Sequence, residues 1–432
     1  MAHRQLRILR LAPHFFREGT WPVAYDPVGG MQNQVWQMVR DLDAAGMPQT
    51  VVTTHIPGSE RAYPLFERSR LQAVGPSLPP FLATHLLGFT WFWALIPYLL
   101  RHLRGFDLVH LHLDHSIWCR LLALAMKLGP VPVVISLNVS LLSDGDTQVR
   151  PEATGLRLKL ERWALCLADR VVALSPHQAK MMNLLAPEHS ERVWIVPDAI
   201  DPDSFRAGID DETVRRFRQQ HRIPEKAPVA AYIGRISEEK GWRDLPAIVR
   251  SLSRNGVFVL ICGDGPCRGR LERELRAQCA DGAWCITGFV PRSDVKAALR
   301  ISEVIVLPSR REAFGSILLE AMAWEVPAIA YRVGGIPDVA GEPNAFVLVP
   351  PLMPDRLAAD ALALINDRAL HRSLVERGTQ RVKDFSTVAA GPHSQRAIER
   401  CRIATTGAPR DCTHKRRHLW RLIRDRALLK EV

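Results

Sequence analysis

Two carboxylates eight residues apart around a glycine, in Glu312-Ala-Phe-Gly-Ser-Ile-Leu-Leu-Glu320, form the stretch best equipped for chemistry. It follows the apolar run Val304-Ile-Val-Leu-Pro308, where a buried strand should give way to a helix. In parallel α/β sheets, ligands bind at the carboxyl ends of strands. Gly315 lets backbone approach a ligand closely, and a helix starting there turns free N–H groups and its positive dipole end toward an anion. Glu312 precedes that helix and Glu320 falls about two turns into it. Such a pair can hold two parts of one polar ligand while the amides face its phosphates. An acidic helix start with a surface glutamate would look the same, and this stretch alone does not choose between the two.

Other polar groups follow strand patterns just as directly. Gly234-Arg235 and Lys240-Gly-Trp242 come after one, Gly263-Asp-Gly-Pro266 after the next, then Gly288-Phe-Val290 and, after the Glu312 stretch, Gly334-Gly335. Loops at the same end of a parallel sheet open on one edge, so these residues should converge. Arg235 and Lys240 can neutralise a diphosphate, the glycines admit it, and carboxylates accept hydrogen bonds from sugar hydroxyls. A nucleoside diphosphate sugar carries all of those groups. A dinucleotide fits less well, since no G-x-G-x-x-G follows the first strand of either half and Gly263-Asp-Gly265 lacks the third glycine; a Walker P-loop is also missing.

The elements that must position these groups repeat a strand-then-helix rhythm. In the first half, strand patterns fall at Ile8–Leu11, Thr50–Thr54, Leu108–His112, Val131–Ser136, Val171–Leu174 and Val193–Val196. In the second they fall at Val229–Ile233, Val257–Cys262, Trp284–Thr287, Val304–Leu307 and Ala328–Tyr331. Short apolar runs alternating with helices imply α/β architecture with parallel sheets covered on both faces. The polar, proline-punctuated region after Val196 marks a boundary. The expected division is an N-terminal, acceptor-side Rossmann-like domain at 1–197, a linker region at 198–227, a nucleotide-sugar-binding domain at 228–385, a helical segment at 386–408 packing back toward the N-domain, and a basic tail at 409–432.

A chain of 432 residues with net charge +12 is too long for one ordinary core, and its charge suits an anionic ligand or surface. No zinc-finger spacing, RNP-type aromatic motif or basic recognition helix supports nucleic-acid binding. Eight scattered cysteines without a C-x-x-C pair read as reduced thiols, and no export signal is apparent, so a cytoplasmic location is expected. Phe81–Leu100 has nearly the length and apolarity of a membrane span, but Thr84, His85, Gly88, Thr90 and Pro97 interrupt it, which favours a buried or interfacial helix. In the tail, Leu419, Leu422, Ile423 and Leu429 could stripe a basic amphipathic helix, so peripheral membrane contact there is weighed against a solvated extension. Asp144-Gly-Asp146 and Asp201-Pro-Asp203 match the D-x-D of metal-dependent transferases, a triplet that arises often by chance.

Five stretches carry a resemblance: Gly29-Gly30-Met31, Asp107-Leu-Val-His-Leu-His112, Val196 through Phe205, Gly234-Arg-Ile-Ser-Glu-Glu-Lys-Gly241 and the Glu312/Glu320 motif. The chain resembles retaining glycosyltransferases of family 4, which have the GT-B architecture of two facing Rossmann-like, doubly wound domains with a deep interdomain cleft. Residues 21–32, Val109 through Trp118 and Glu239 through Trp242 look most like the enzymes that glycosylate 2-deoxystreptamine in aminoglycoside antibiotic biosynthesis. The resemblance implies a UDP-sugar donor, UDP-N-acetylglucosamine by preference, a small aminocyclitol or saccharide acceptor, no cofactor and no metal. It places Gly30, Gly234 and Gly263 near the donor, Arg235 and Lys240 on the diphosphate, Glu320 on the ribose, and Glu312 with Phe314-Gly315 on the transferred sugar. Val290 would meet the base through its backbone and His112 the reacting sugar, whereas His110 reads as a core histidine. Asp26, Asp114 and Asn138 are the acceptor candidates. Asn138, Asp198-Ala199 and Phe314 depart from common family residues, which bears on donor and acceptor more than on reaction class. Two alternatives remain: a membrane-peripheral family 4 enzyme acting on a lipid-linked or envelope saccharide, and a catalytically silent nucleotide-sugar-binding protein.

Overall fold

The structure is a computed structural model that describes residues 6–13, 15, 30–113, 117–127, 129, 131–137 and 155–386. Its contacts fall into two compact units that meet in sequence at Val196 and Pro197. Each is a parallel sheet wound on both faces by helices, the arrangement that alternating apolar runs and helices imply.

The first unit runs β1 (Ile8–Leu11), α1 (Gly30–Ala44), β2 (Gln49–Thr54), β3 (Ala62–Pro64), β4 (Arg70–Val74), α2 (Pro80–His102), β5 (Leu108–Leu113), α3 (Ile117–Lys127), β6 (Val133–Leu137), α4 (Gly155–Leu167), β7 (Arg170–Ala173), α5 (Pro176–Leu185) and β8 (Val193–Ile195). Its eight strands lie in the order β3-β4-β2-β1-β5-β6-β7-β8, all parallel except β3 against β4. Strands covered on both faces are buried at every position, as Ile8–Leu11 and Leu108–Leu113 are, so the polar side chains they carry, Arg10, His110 and His112, must find partners inside. Helix α2 begins with Pro80 at a position whose N–H no helical bond would use. It sends Leu87, Trp91, Leu95 and Leu99, one per turn, into the core beside Val109 and Leu111. Each such side chain contributes about 1.5–3 kcal/mol on burial. A buried ion pair, Arg120 Nη2 to Glu161 Oε2 at 2.7 Å, ties α3 to α4.

The second unit runs α6 (Pro202–Arg206), α7 (Asp211–Gln220), β9 (Val229–Ile233), α8 (Leu245–Arg254), β10 (Phe258–Cys262), α9 (Arg268–Gln278), β11 (Trp284–Gly288), α10 (Arg292–Arg300), β12 (Val304–Leu307), α11 (Ser316–Ala323), β13 (Ala328–Tyr331), α12 (Ile336–Ala340), β14 (Val347–Val349), α13 (Pro354–Asn366) and α14 (Arg368–Arg381). Its six strands are ordered β11-β10-β9-β12-β13-β14 and every pairing is parallel. From β9 the chain winds outward through β10 and β11, then returns to place β12 on the other side of β9 with Ile305 opposite Ala231. The winding reverses between β9 and β12, the position at which open α/β sheets bind ligands.

Candidate functional site

The residues singled out by type meet at that reversal. The loop after β9 carries Gly234 to Gly241 and the loop after β12 carries Pro308 to Gly315. Backbone stitches them: Arg310 N and Arg311 N both donate to Glu239 O, at 2.9 and 3.1 Å. Gly241 has φ of 75°, and a Cβ there would stand 1.8 Å from Pro308 O, so only glycine allows the approach. Across the junction Lys240 Nζ donates to Glu312 Oε1 at 2.5 Å, and Ser309 Oγ donates to the same oxygen at 3.0 Å. The Glu312 side chain is 9% exposed and that of Lys240 28%, so the pair is largely, though not wholly, withdrawn from water.

Neighbouring loops join the same rim. Gly234 N donates to Cys262 O at 2.9 Å and Ile236 N to Asp264 O at 2.8 Å, which clamps the loop after β9 to the one after β10. A Cβ on Gly263 would fall 1.9 Å from Gly234 O. Gly263 in turn bridges Gly288 at the end of β11, and Gly335 N donates to Glu312 O at 3.0 Å from the loop after β13. Loops from five successive strands are thus bound together by main chain. Beneath them the Tyr232 hydroxyl donates to Arg235 O at 2.6 Å, and burial, with Glu312 and Glu239 nearby, holds its proton on well above the ordinary phenol range. Tyr232→Phe should therefore lower thermal stability by about 1 kcal/mol and leave the rim's ligand affinity within a factor of about three, read by melting and titration.

Glu320 sits on α11 and is mostly buried, with Arg292 Nη1, from the first residue of α10, 2.8 Å from its Oε1. The same guanidinium stacks over Phe205 at 4.9 Å. Because Gly315 takes φ of 93°, the helix starts only at Ser316, and Glu320 lies just over one turn in rather than two. At the start of α11 the Ser316 hydroxyl donates to the Asp198 carboxylate, which thereby sits at a helix end that favours anions. Arg292, Ser309 and Ser316 went unnoticed in the sequence. An arginine directly after the Pro291 that precedes α10 was the one available signal.

The first unit places one candidate, His112, differently from expectation and keeps His110 in the core as expected. Arg10 on β1 is wholly buried beside β5, where Nη1 reaches His110 Nδ1 at 2.9 Å and His112 Nε2 at 3.0 Å. Its other side contacts Gln49 Oε1, from Nε at 3.2 Å and Nη2 at 2.8 Å. Guanidinium only donates, so those two ring nitrogens accept and both imidazoles are neutral; the proton of His110 goes to Ser136 Oγ at 2.7 Å. His112, expected against the reacting sugar, is 0% exposed and stacked on His110. The strand alternation that put it on the His110 face also buried it, because Arg10 fills that face from the next strand. Burial lowers both histidine pKa values well below the ordinary range, reinforced by each other's charge at His110 and by Arg10 at both, and burial alone brings Arg10 down to about 9.

An acid response follows from these shifts. Above about pH 7 neither histidine binds a proton in either state, so stability does not depend on them. As pH falls through about 6.5 the unfolded chain takes up protons that the folded one refuses, and stability drops by up to about 2.7 kcal/mol per pH unit for the pair. Melting temperature should be level between about pH 7 and 8 and decline steeply below about pH 6.5. A level melting temperature down to about pH 5 would show that the two histidines are not held neutral.

Phe314 is 3% exposed and packs edge-on against Phe385, ring centroids 5.6 Å apart, so its side chain belongs to the interior and only its backbone reaches the rim. Val290 lies between β11 and the Pro291 that precedes α10, and Gly30 opens α1. Of the D-x-D triplets, Asp201 caps α6 by accepting from Ser204 N and Asp203 pairs with Arg206, which accounts for both as structural groups. Asp26, Asp114, Asn138, Asp144, Asp146 and residues 387–432 lie outside the described residues. Among the described residues, Cys166, Glu188 and His189 approach each other closely enough to share a metal ion, but Glu188 already pairs with Arg162 at 3.1 Å. No helix among them is long and apolar enough to cross a membrane.

Comparison with known proteins gives the site its context. Residues 213–381 match the family model described as glycosyl transferases group 1, and residues 28–204 match glycosyltransferase family 4. The chain is 31% identical to a 2-deoxystreptamine N-acetyl-D-glucosaminyltransferase of Streptomyces fradiae over 92% of this chain and 97% of that one. It is 30% identical to a 2-deoxystreptamine glucosyltransferase of Streptomyces kanamyceticus over 78% and 90%, respectively. Among solved structures, the sucrose-phosphate synthase of Thermosynechococcus elongatus superposes with a TM-score of 0.77 at 21% identity, covering 93% of this chain and all (100%) of that one. Anabaena HepE in complex with UDP-glucose superposes with a TM-score of 0.68 at 15% identity, covering 91% and 100%.

Proposed function

Since the chain belongs to the glycosyltransferases of family 4, with their GT-B fold of two Rossmann-like domains, we propose that it moves N-acetylglucosamine from UDP-N-acetylglucosamine to 2-deoxystreptamine, with retention at the anomeric carbon. The observation that carries this reading is the Lys240–Glu312 pair at the strand reversal of the second unit, which sets a cation and a carboxylate side by side between the loops that follow β9 and β12. A nucleotide-sugar presents the complementary pattern, anionic diphosphate next to hydroxyl-bearing sugar. The aminocyclitol acceptor is supported by the two relatives named above, which share that acceptor while differing in the sugar transferred.

In the reaction the bond from the anomeric carbon to the β-phosphate oxygen breaks and its electron pair leaves with UDP. Lys240, Arg235 and the main-chain amides at the start of α11 stabilise the charge that builds there; loss of one such donor typically costs about 3–4 kcal/mol of barrier. The acceptor hydroxyl attacks on the face the phosphate leaves, its proton passing to a phosphate oxygen, so the products are UDP and the glycoside. Glu312, fixed through one oxygen by Lys240 and Ser309, holds sugar hydroxyls through acceptor lone pairs. Glu320 takes the ribose diol, with Arg292 holding the carboxylate in place.

The deciding experiment is a matrix of nucleotide sugars against aminocyclitol and saccharide acceptors, read by product mass. The expected result is 2-deoxystreptamine plus one N-acetylhexosamine from UDP-N-acetylglucosamine. UDP binding without product in any cell of the matrix would instead establish a silent nucleotide-sugar-binding protein.

A further inference from the structure

Helix α2 poses a question that the transferase reading leaves untouched. Between Pro80 and Leu100 the chain has no charged side chain. A helix packed on a domain surface normally turns a polar face to water, and one that is apolar all round is normally enclosed. Here the inner face is enclosed, through Leu87, Trp91, Leu95 and Leu99. The outer face is apolar as well: Leu86 and Phe89 are each 40% exposed, Trp93 54% and Leu100 82%. Its hydroxyl is satisfied within the helix, Thr90 Oγ1 donating to Leu86 O at 3.1 Å and Leu87 O at 3.2 Å. Phe89 and Phe92 extend the aromatic surface onto Trp118 of α3, with ring centroids 5.0 and 5.5 Å away.

Charge around this face is basic. Arg101 and Arg104 are exposed directly beyond Leu100. Arg61, also exposed, bonds Gly75 O at 3.4 Å, and Gly75 packs against α2 so that a Cβ there would lie 3.5 Å from that of Ala94. Exposed leucine with tryptophan and phenylalanine, bordered by arginines, is the composition of a helix that lies in a lipid headgroup region: aromatic rings seat at the interface and arginines meet the phosphates. A second copy docking this face about a twofold axis would bring arginine-bordered edges together, whereas an anionic bilayer complements them.

We propose that the outer face of α2 rests on an anionic lipid surface, with Phe89, Trp93 and Leu100 inserted to headgroup depth and Arg101 and Arg104 paired to lipid phosphate. The contact is peripheral. Full-length protein should co-sediment with phosphatidylglycerol–phosphatidylcholine vesicles and not with pure phosphatidylcholine. Trp93→Glu with Leu100→Glu should reduce vesicle partitioning at least tenfold while melting temperature and turnover on a soluble acceptor are kept. Arg101→Gln with Arg104→Gln, which leaves the apolar face whole, should reduce it by about fivefold per charge and flatten its salt dependence.

Failure to bind anionic vesicles would overturn the proposal, as would binding that survives the Trp93→Glu, Leu100→Glu change. A concentration-dependent dimer that the same change dissolves, without vesicle binding, would assign the face to a second copy instead. Turnover on soluble acceptors reports the transferase reading separately, so either idea can fail without the other.

Discussion

Glu312→Ala should reduce sugar transfer by about 10²–10³-fold in kcat while UDP binds at least as tightly as it does to the unaltered protein. The sign of the second effect is the informative part. The family resemblance assigns Lys240 to the diphosphate and Glu312 to the sugar as separate groups, but the structure joins them at 2.5 Å. A diphosphate that draws on Lys240 must share it with a carboxylate 9% exposed, and removing that carboxylate removes the competitor. The reverse change behaves otherwise: Lys240→Ala takes a cation from the leaving group and also leaves Glu312 without its ion partner in a low-dielectric site, so it should weaken UDP binding and lower stability together. Isothermal titration of UDP into both variants, beside single-turnover rates, separates the cases. A tenfold loss of UDP affinity in Glu312→Ala would mean that the carboxylate supports the nucleotide, and the assignment of roles would have to be exchanged.

Gly263→Ala should be among the most damaging single methyl additions in the second unit, lowering its stability by about 3–5 kcal/mol and abolishing UDP binding in whatever remains folded. The new Cβ would stand 1.9 Å from Gly234 O, and a carbonyl held by sheet geometry cannot swing aside as a side chain would. Relief would require parting the loops after β9 and β10, which breaks the bonds from Gly234 N to Cys262 O and from Ile236 N to Asp264 O. Gly269 supplies the control. It lies within α9 with nothing inside 4 Å of an added Cβ, so Gly269→Ala should stabilise by about 0.5–1 kcal/mol. Melting curves of the two variants decide the matter; equal shifts would mean that the clamp yields easily.

What could be read from the chain and what could not divide along a physical line. Strands buried on both faces were legible where the run is almost wholly apolar: Val229–Ile233, Val304–Leu307 and Ala328–Tyr331 begin and end where expected. The edge pair Ala62–Pro64 and Arg70–Val74 was missed, since edge strands alternate exposed with buried positions and this one carries a proline. Val347–Val349 escaped because three residues give no pattern. Convergence of loops on one sheet edge followed from topology alone, but partnership across it did not. Lys240 and Glu312 are 72 residues apart, and neither residue type announces which opposite charge it will meet. His112 marks a similar limit: alternation assigned its face correctly, yet whether that face looked onto a ligand or onto Arg10 depended on a strand about a hundred positions away.

The main-chain stitching of the second unit's rim has a consequence for descent. The hydrogen bonds that hold the five loops in register run between amides and carbonyls, and the close approaches depend on glycines. The register of the loops therefore rests on main chain, with side-chain pairs such as Lys240–Glu312 added to it. On the proposed function, substitutions among the remaining side chains would retune which sugar is accepted while the main-chain framework holds, so long as the glycines stay. Two relatives of nearly equal identity, one named for N-acetylglucosamine transfer and one for glucose transfer to the same acceptor, are what such a division of labour would leave behind.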